Sequence, residues 1–245
     1  MEDMTSAGFA LWAVLRRDPT APFAAPASSD PSDPTPAAPH SANSDSADSD
    51  LSEIDAVVGQ LADEGVVVRG FYDVSGLRAD ADLMIWLHGD TAESLQSGLR
   101  RLRRTSLLRG LLPTWNALGV HRDAEFNRAH SPGFLRGERA RDWLTVYPFV
   151  RSFDWYLLDE TERRTMLADH GRKGAAFTSV IANTVASFAL GDYEWILPME
   201  SDVLVDLVDM MRALRATDAR MHVREEVPFF TGRRIPTSEI AEVLA

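Results

Sequence analysis

Six histidines, at positions 40, 88, 121, 130, 170 and 222, are the soft donors of a chain that contains no cysteine. Thiolate metal sites, iron–sulfur clusters, disulfides and cysteine nucleophiles are thereby excluded, so any metal must rely on imidazole, carboxylate or a cofactor. His40 falls in a Pro- and Ser-rich tract and is set aside. His88, His121 and His222 stand at the ends of strand-like runs, where an ordinary loop-end role is the plain alternative to ligation. His170 differs, because it closes an amphipathic helical stretch with Met166 and Leu167 a turn behind it and Gly171, Arg172 and Lys173 directly after. That spacing suits a helix C-cap histidine favoured by the macrodipole. It also suits the single helix-borne imidazole that holds a haem iron from one side.

A second constellation is Tyr147-Pro148 inside an otherwise regular strand run, followed by Arg151 and Trp155. Proline removes a ladder donor and belongs at an edge or bulge, so the strand is expected to bend at Tyr147. Core or rim packing is the alternative for both Tyr147 and Trp155. HExxH, a His pair at helical spacing, an EF-hand loop, Walker and GxGxxG loops and GxSxG are all absent from the sequence.

The elements that must position these residues follow a repeated order. GFALWAVLR (8–16) alternates as a strand, and Leu51, Ile54, Val57, Val58 and Leu61 predict a helix over 51–64 with Ser49 or Asp50 as cap. Strands are expected at 66–74 and 81–89. A helix opened by a capping box of Asp90 and Glu93 then runs to near Gly110, and a strand follows at 113–121. The second half gives a strand at 142–150, a helix from the Asp159/Glu162 box to about His170 and strands over 183–191 and 192–200. A helix over 201–214 and a last strand at 222–230 complete it. Each half reads β-α-β-β-α-β, so the expected class is α+β: a dimeric α+β barrel made of two ferredoxin-like repeats in one chain. The expected repeats are residues 1–121 and 122–245, the first interrupted by a disordered Pro/Ser/Asp-rich insertion at 18–50 that holds seven of the thirteen prolines. Residues 121–141 read as a long polar connection, and 171–183 as an irregular or helical piece.

With 245 residues, 45% of them hydrophobic, the chain is long enough for a large core. Its 37 acids against 25 bases give a charge of −12, which argues against nucleic acid and anionic membranes as partners. No apolar run approaches the roughly 18 residues of a membrane span. The N-terminus carries acids where a signal peptide carries bases, so a soluble cytoplasmic protein is expected.

Four strings, WLTVYPFVR (143–151), MLADHGR (166–172), ANTVASFALGDYEWIL (182–197) and ARMHVREEVPFFTGRR (219–234), together resemble the actinobacterial coproheme decarboxylases of the chlorite dismutase superfamily. The resemblance spans essentially everything outside 18–50. It implies the same barrel, a ring of five subunits, and a porphyrin held by the C-terminal half. The implied activity is the last step of coproporphyrin-dependent haem synthesis. Iron coproporphyrin III (coproheme), both substrate and redox cofactor, is decarboxylated twice with hydrogen peroxide to haem b through a monovinyl, monopropionate intermediate.

By this resemblance His170 is the proximal iron ligand and Tyr147 the radical-bearing residue that takes hydrogen from the propionate β-carbon. His130, in NRAHSPGF, is implied as the distal base for peroxide, with His121 as the alternative. Trp155 is placed near the substrate, where it shares the radical or packs on the porphyrin. Arg151 and Arg220 are placed near the propionates, with Arg224 and Arg233 as alternatives to Arg220. A transient contact with the coproporphyrin ferrochelatase is also implied. Phe149-Val150 departs from the Met-Ser pair of other branches. Rival readings are a chlorite dismutase-like enzyme, which uses a distal Arg, and a non-catalytic haem carrier or sensor, which needs neither Tyr147 nor a peroxide base.

Overall fold

Alternate residues of a strand face opposite sides of a sheet, and β1 (Phe9–Arg16) uses both sides for burial. Ala10, Trp12 and Val14 enter one core, and Leu11, Ala13 and Leu15 another. The structure, a computed structural model, describes residues 8–20, 41–122 and 131–245. After β1 come α1 (Ser41–Asp63), β2 (Val67–Asp73), β3 (Leu83–Gly89), α2 (Ala92–Leu102) and β4 (Leu112–Val120). The second half supplies β5 (Trp143–Arg151), α3 (Glu160–Gly174), β6 (Ile181–Ala182), β7 (Val185–Ala186) and β8 (Trp195–Ser201). It ends with α4 (Leu204–Leu214), β9 (Val223–Glu225), β10 (Phe230–Ile235) and α5 (Ile240–Val243).

Antiparallel pairing runs β4-β1-β3-β2-β10-β5-β8-β7 and returns to β4 through Val120↔Ala186, so the sheet closes on itself. The molecule is a single-chain α+β barrel. Its lumen is filled by side chains from around the ring, Trp12, Tyr72, Trp86, Leu144, Val146, Ile196 and Phe230 among them. On the outer surface α1 and α2 cover the first half through Ile54, Leu61, Leu95, Leu99 and Leu102. Residues Leu207, Met210 and Leu214 of α4 cover Tyr147 and Met199 of the second. The closing seam depends on Gly119: a Cβ there would lie 2.3 Å from Val185 Cγ2.

A buried ion pair joins the halves. The β2–β3 register shifts between Val68 and Gly70, leaving Arg69 as a bulge residue, and bulges re-aim side chains. Its Nη2 lies 2.6 Å from Glu200 Oε2 on β8, with both side chains buried. The same guanidinium donates to the carbonyls of Glu138 and Arg139. Asn183 Nδ2 donates to Glu200 at 3.1 Å while its Oδ1 accepts from Phe134 N–H at 2.9 Å. The connection entering β5 is thereby tied to both halves.

Several expected boundaries move. Helix α1 begins at Ser41, ten residues before the apolar periodicity starts, since extending an anchored helix adds one bond per residue fixed. Of the expected 18–50 insertion, residues 41–50 are therefore helical and 21–40 lie outside the described residues. Thr91, not Asp90, caps α2 by accepting from Ser94 N–H, and the helix stops at Leu102. Asp159 does cap α3, yet the helix continues past His170 to Gly174. Where one strand was expected over 183–191 there are two-residue strands on either side of Asn183-Thr184. Beyond them Ala189 turns the chain at a φ of 62°. The last ring strand is Phe230–Ile235, beyond the expected 222–230, because Pro228 interrupts that run. Among the described residues no helix is long and apolar enough to cross a membrane.

Candidate active site

The period-two face of β5 places Tyr147, Phe149 and Arg151 side by side on the outside of the barrel, under α3 and α4. Opposite Tyr147 in register stands Leu197 of β8. Helical spacing brings Leu167 and His170 of α3 to the same cleft. Met211 and Leu214 of α4, with Arg215 just past it, share a second face at i, i+3, i+4. Ala219 and Arg220, then Val223 and Glu226, close the rim. The cleft is open to solvent and, with the open space at its mouth included, spans about 500 Å³.

Pro148 is accommodated without a bulge. Residues 143–146 of β5 pair with β10 and Val150 and Arg151 with β9, so 147–149 face a gap between those two partners. The missing N–H of Pro148 falls in that gap, while the β8 side of the strand stays in register through Pro148↔Ile196. The pairing with β8 carries no register shift at Tyr147, and the nearest shift, in the pairing with β9, falls between Val150 and Arg151.

Tyr147 is buried, its ring stacked 4.3 Å from that of Phe229. The phenol contacts Met211 Sδ at 3.5 Å, a weak acceptor. Burial, with the Glu226 charge second, pushes its pKa well above that of a free phenol, against smaller opposing effects of Arg215 and Arg220. The O–H proton therefore stays in place at neutral pH.

His170 lies within α3, which removes the helix-cap reading. Burial first, then the Arg151 charge, lowers its pKa below the usual imidazole value, with Asp169 opposing. Its Nδ1 is 3.4 Å from Thr217 Oγ1, and that hydroxyl donates to Leu214 O at 2.9 Å. With the Thr217 proton committed, the network assigns the imidazole proton to Nδ1 and the lone pair to Nε2.

Arg151 has its guanidinium 4.0 Å from the Trp155 ring centroid and 4.9 Å from that of Phe149. Trp155 is fully buried behind Arg151 and is not among the cleft-lining residues. Arg220 Nη1 donates to Glu226 Oε2 at 2.5 Å, and Arg215 Nη1 to Glu226 Oε1 at 2.8 Å. His130 lies outside the described residues. His121 follows β4, where its N–H donates to Gly8 O, and does not line the cleft. His222 is held by Ser152 Oγ at 3.0 Å and packs on Trp155, while burial and Arg69 push His88 down to about 4 beside Phe134. Arg224 stacks over the exposed Phe153 ring, and Arg233 pairs with Glu239.

Among the described residues no group of three or more His, Asp or Glu could hold a bare metal ion. A lone imidazole with a free Nε2, apolar walls and three guanidiniums instead fits an ion that brings its own ligands and carries several carboxylates. The chlorite dismutase family profile matches residues 47–235. The chain belongs to the chlorite dismutase family. Within that family it is 54% identical over 191 residues to the coproheme decarboxylase of Mycolicibacterium smegmatis, covering 78% of this chain and 83% of the relative. An arginine-to-lysine variant of the chlorite dismutase from Candidatus Nitrospira defluvii superposes with a TM-score of 0.77 at 22% identity, over 97% of this chain and 95% of that one. A tryptophan-to-phenylalanine variant in complex with cyanide gives 0.77 at 21% identity, over 98% and 96%. These structures share the family fold.

Arg215, Thr217 and Glu226 were not singled out from the sequence. For Arg215 a signal existed, since it follows Met211 by four residues on a helix whose apolar stripe is plain. For Thr217 and Glu226, which stand in a turn and beyond a three-residue strand, no periodicity was available.

Proposed function

We propose that this chain is a coproheme decarboxylase. Iron coproporphyrin III loses two propionate carboxyls, at the expense of hydrogen peroxide, and becomes haem b. The observation that carries the reading is one cleft lined by a buried, protonated Tyr147 and by His170 with Nε2 as its lone-pair nitrogen, rimmed by guanidiniums. The 54% identity to a coproheme decarboxylase supports it.

In each round a propionate gives up one β-hydrogen and leaves its carboxyl as CO₂. The two electrons released reduce one peroxide, which departs as two waters. When bound, the iron porphyrin supplies the oxidising power drawn from peroxide. His170 would hold the iron. Tyr147 surrenders an electron and its proton, and the tyrosyl oxygen then takes the β-hydrogen, which requires the propionate beside the phenol. Arg151 and Arg220 bind propionates, and Trp155 holds the Arg151 plane rigid from behind. His130 is the peroxide base in this reading, accepting a proton and returning it to the leaving oxygen.

We further read the fold as two ferredoxin-like repeats, 1–121 and 122–245, with a porphyrin in the second. The equivalent orders β4-β1-β3-β2 and β10-β5-β8-β7 support this. A homopentamer, a cytoplasmic location and a transient contact with the coproporphyrin ferrochelatase belong to the same reading.

The test loads the protein with coproheme, titrates peroxide anaerobically and follows the porphyrin by mass spectrometry. Two successive decarboxylations ending at haem b are expected. Tyr147→Phe should bind coproheme normally and lose no CO₂. Bleaching without CO₂ loss in the wild type overturns the activity, and normal haem b formation by Tyr147→Phe overturns the role of the phenol.

A further inference from the structure

Glu226 occupies the two arginines that a substrate carboxylate needs. Each of its oxygens meets a different guanidinium, at 2.8 Å from Arg215 and 2.5 Å from Arg220. Its side chain is 14% exposed. This is the arrangement a propionate would adopt between the same two groups, since a carboxylate accepts charge-assisted bonds on both oxygens. With Arg151, the cleft holds three cations and this one anion. A tetracarboxylate entering it would set a propionate against Glu226 at a half-open rim, where like charges a few ångströms apart still repel each other.

The side chains that flank Glu226 leave it a way out to solvent. Glu225 is exposed and Val227 is 61% exposed, so Glu226 sits on a rim segment with solvent on either side. The arginine side chains are more exposed than Glu226, at 39% and 38%, while their backbone is held by helical elements. Arg215 directly follows α4, and Arg220 stands in the 218–222 turn, which also contributes the buried Ala219.

We propose that Glu226 is a stand-in carboxylate, which neutralises Arg215 and Arg220 until it is exchanged for a substrate propionate on binding. The inference rests on the coproheme reading above and adds a specificity device to it. A porphyrin with four carboxylates displaces Glu226. Once a propionate has left as CO₂, the arginine pair has lost its partner and Glu226 returns. The product, with two carboxylates fewer, is held less tightly than the substrate.

Fluorescence-quenching titrations with iron-free coproporphyrin III, which has four carboxylates, and protoporphyrin IX, which has two, test this without turnover. Removing the competing charge in Glu226→Gln should tighten coproporphyrin binding on the order of tenfold, the lower end of the range for one hydrogen bond to a charged group. Protoporphyrin binding should change far less. Glu226→Ala, which also vacates the arginines, should shift the ratio in the same direction and guards against a misfolded glutamine variant. An unchanged ratio, or weaker coproporphyrin binding in both variants, assigns Glu226 a purely structural role and overturns the exchange while leaving the coproheme reading intact. A wild-type protein that binds neither porphyrin overturns both.

Discussion

In the proposed role of His170 an imidazole must keep one nitrogen free of its proton and the ring fixed, and both duties would fall on Thr217. Its hydroxyl oxygen receives Nδ1–H of His170 while its proton goes to Leu214 O. Thr217→Val keeps the shape and removes the acceptor, leaving a half-buried N–H unpaired at a cost of about 1–3 kcal/mol. Coproheme should then bind roughly tenfold more weakly, with a changed iron–imidazole stretching frequency in the Raman spectrum of the ferrous form. Thr217→Ser should restore both, and equal losses in Val and Ser variants would show that Thr217 acts by packing alone. At this scale the sequence was legible where period governs: Tyr147, Phe149 and Arg151 alternate on β5, and Leu167 and His170 are three apart on α3. It was silent where function depends on an acceptor brought in from a turn 47 residues away.

Elements succeed or fail here by how closely backbones approach. The seam between β4 and β7 carries the single register pair Val120↔Ala186, with Gly119 pressed against Val185. Gly119→Ala would force its methyl into Val185 Cγ2, and overpacking of this kind costs about 1–3 kcal/mol. A fall of several degrees in Tm is expected for Gly119→Ala. The double variant with Val185→Ala should recover part of it, as a thermal-unfolding double-mutant cycle would read. Strict additivity would place the strain elsewhere. The β-α-β-β-α-β order was readable from periodicity, but β6 and β7 were not. Phe188 and Leu190, which make that stretch look strand-like, are largely exposed at 44% and 41% and belong to a turn. Conversely, FTGRRI reads as polar because only Phe230, Gly232 and Ile235 of β10 are buried.

For the molecule as a whole, the two halves are held by the ring of strands and by the Arg69–Glu200 pair. Glu200→Gln would leave the Arg69 charge buried without a counter-charge, and breaking a buried pair in this way costs about 3–5 kcal/mol. Chemical denaturation should show that loss, and a change below about 1 kcal/mol would mean that the Glu138 and Arg139 carbonyls already suffice for Arg69. No pattern in the sequence points to this pair, whose partners stand 131 residues apart, because long-range ion pairs leave no periodic trace.

The lumen is filled by buried side chains, so this barrel is a keel and, in the proposed reading, its cargo rides outboard. One strand serves both. In β5, Leu144 and Val146 belong to the keel, while Tyr147, Phe149 and Arg151 belong to the cargo slot. Substitutions there fall on one duty or the other, which leaves the slot free to diversify over an unchanged hull. Deleting a single residue between 143 and 151 would instead exchange the two sets, since one step along a strand turns every following side chain to the opposite face. Chemistry on this scaffold is therefore open to replacement but closed to insertion.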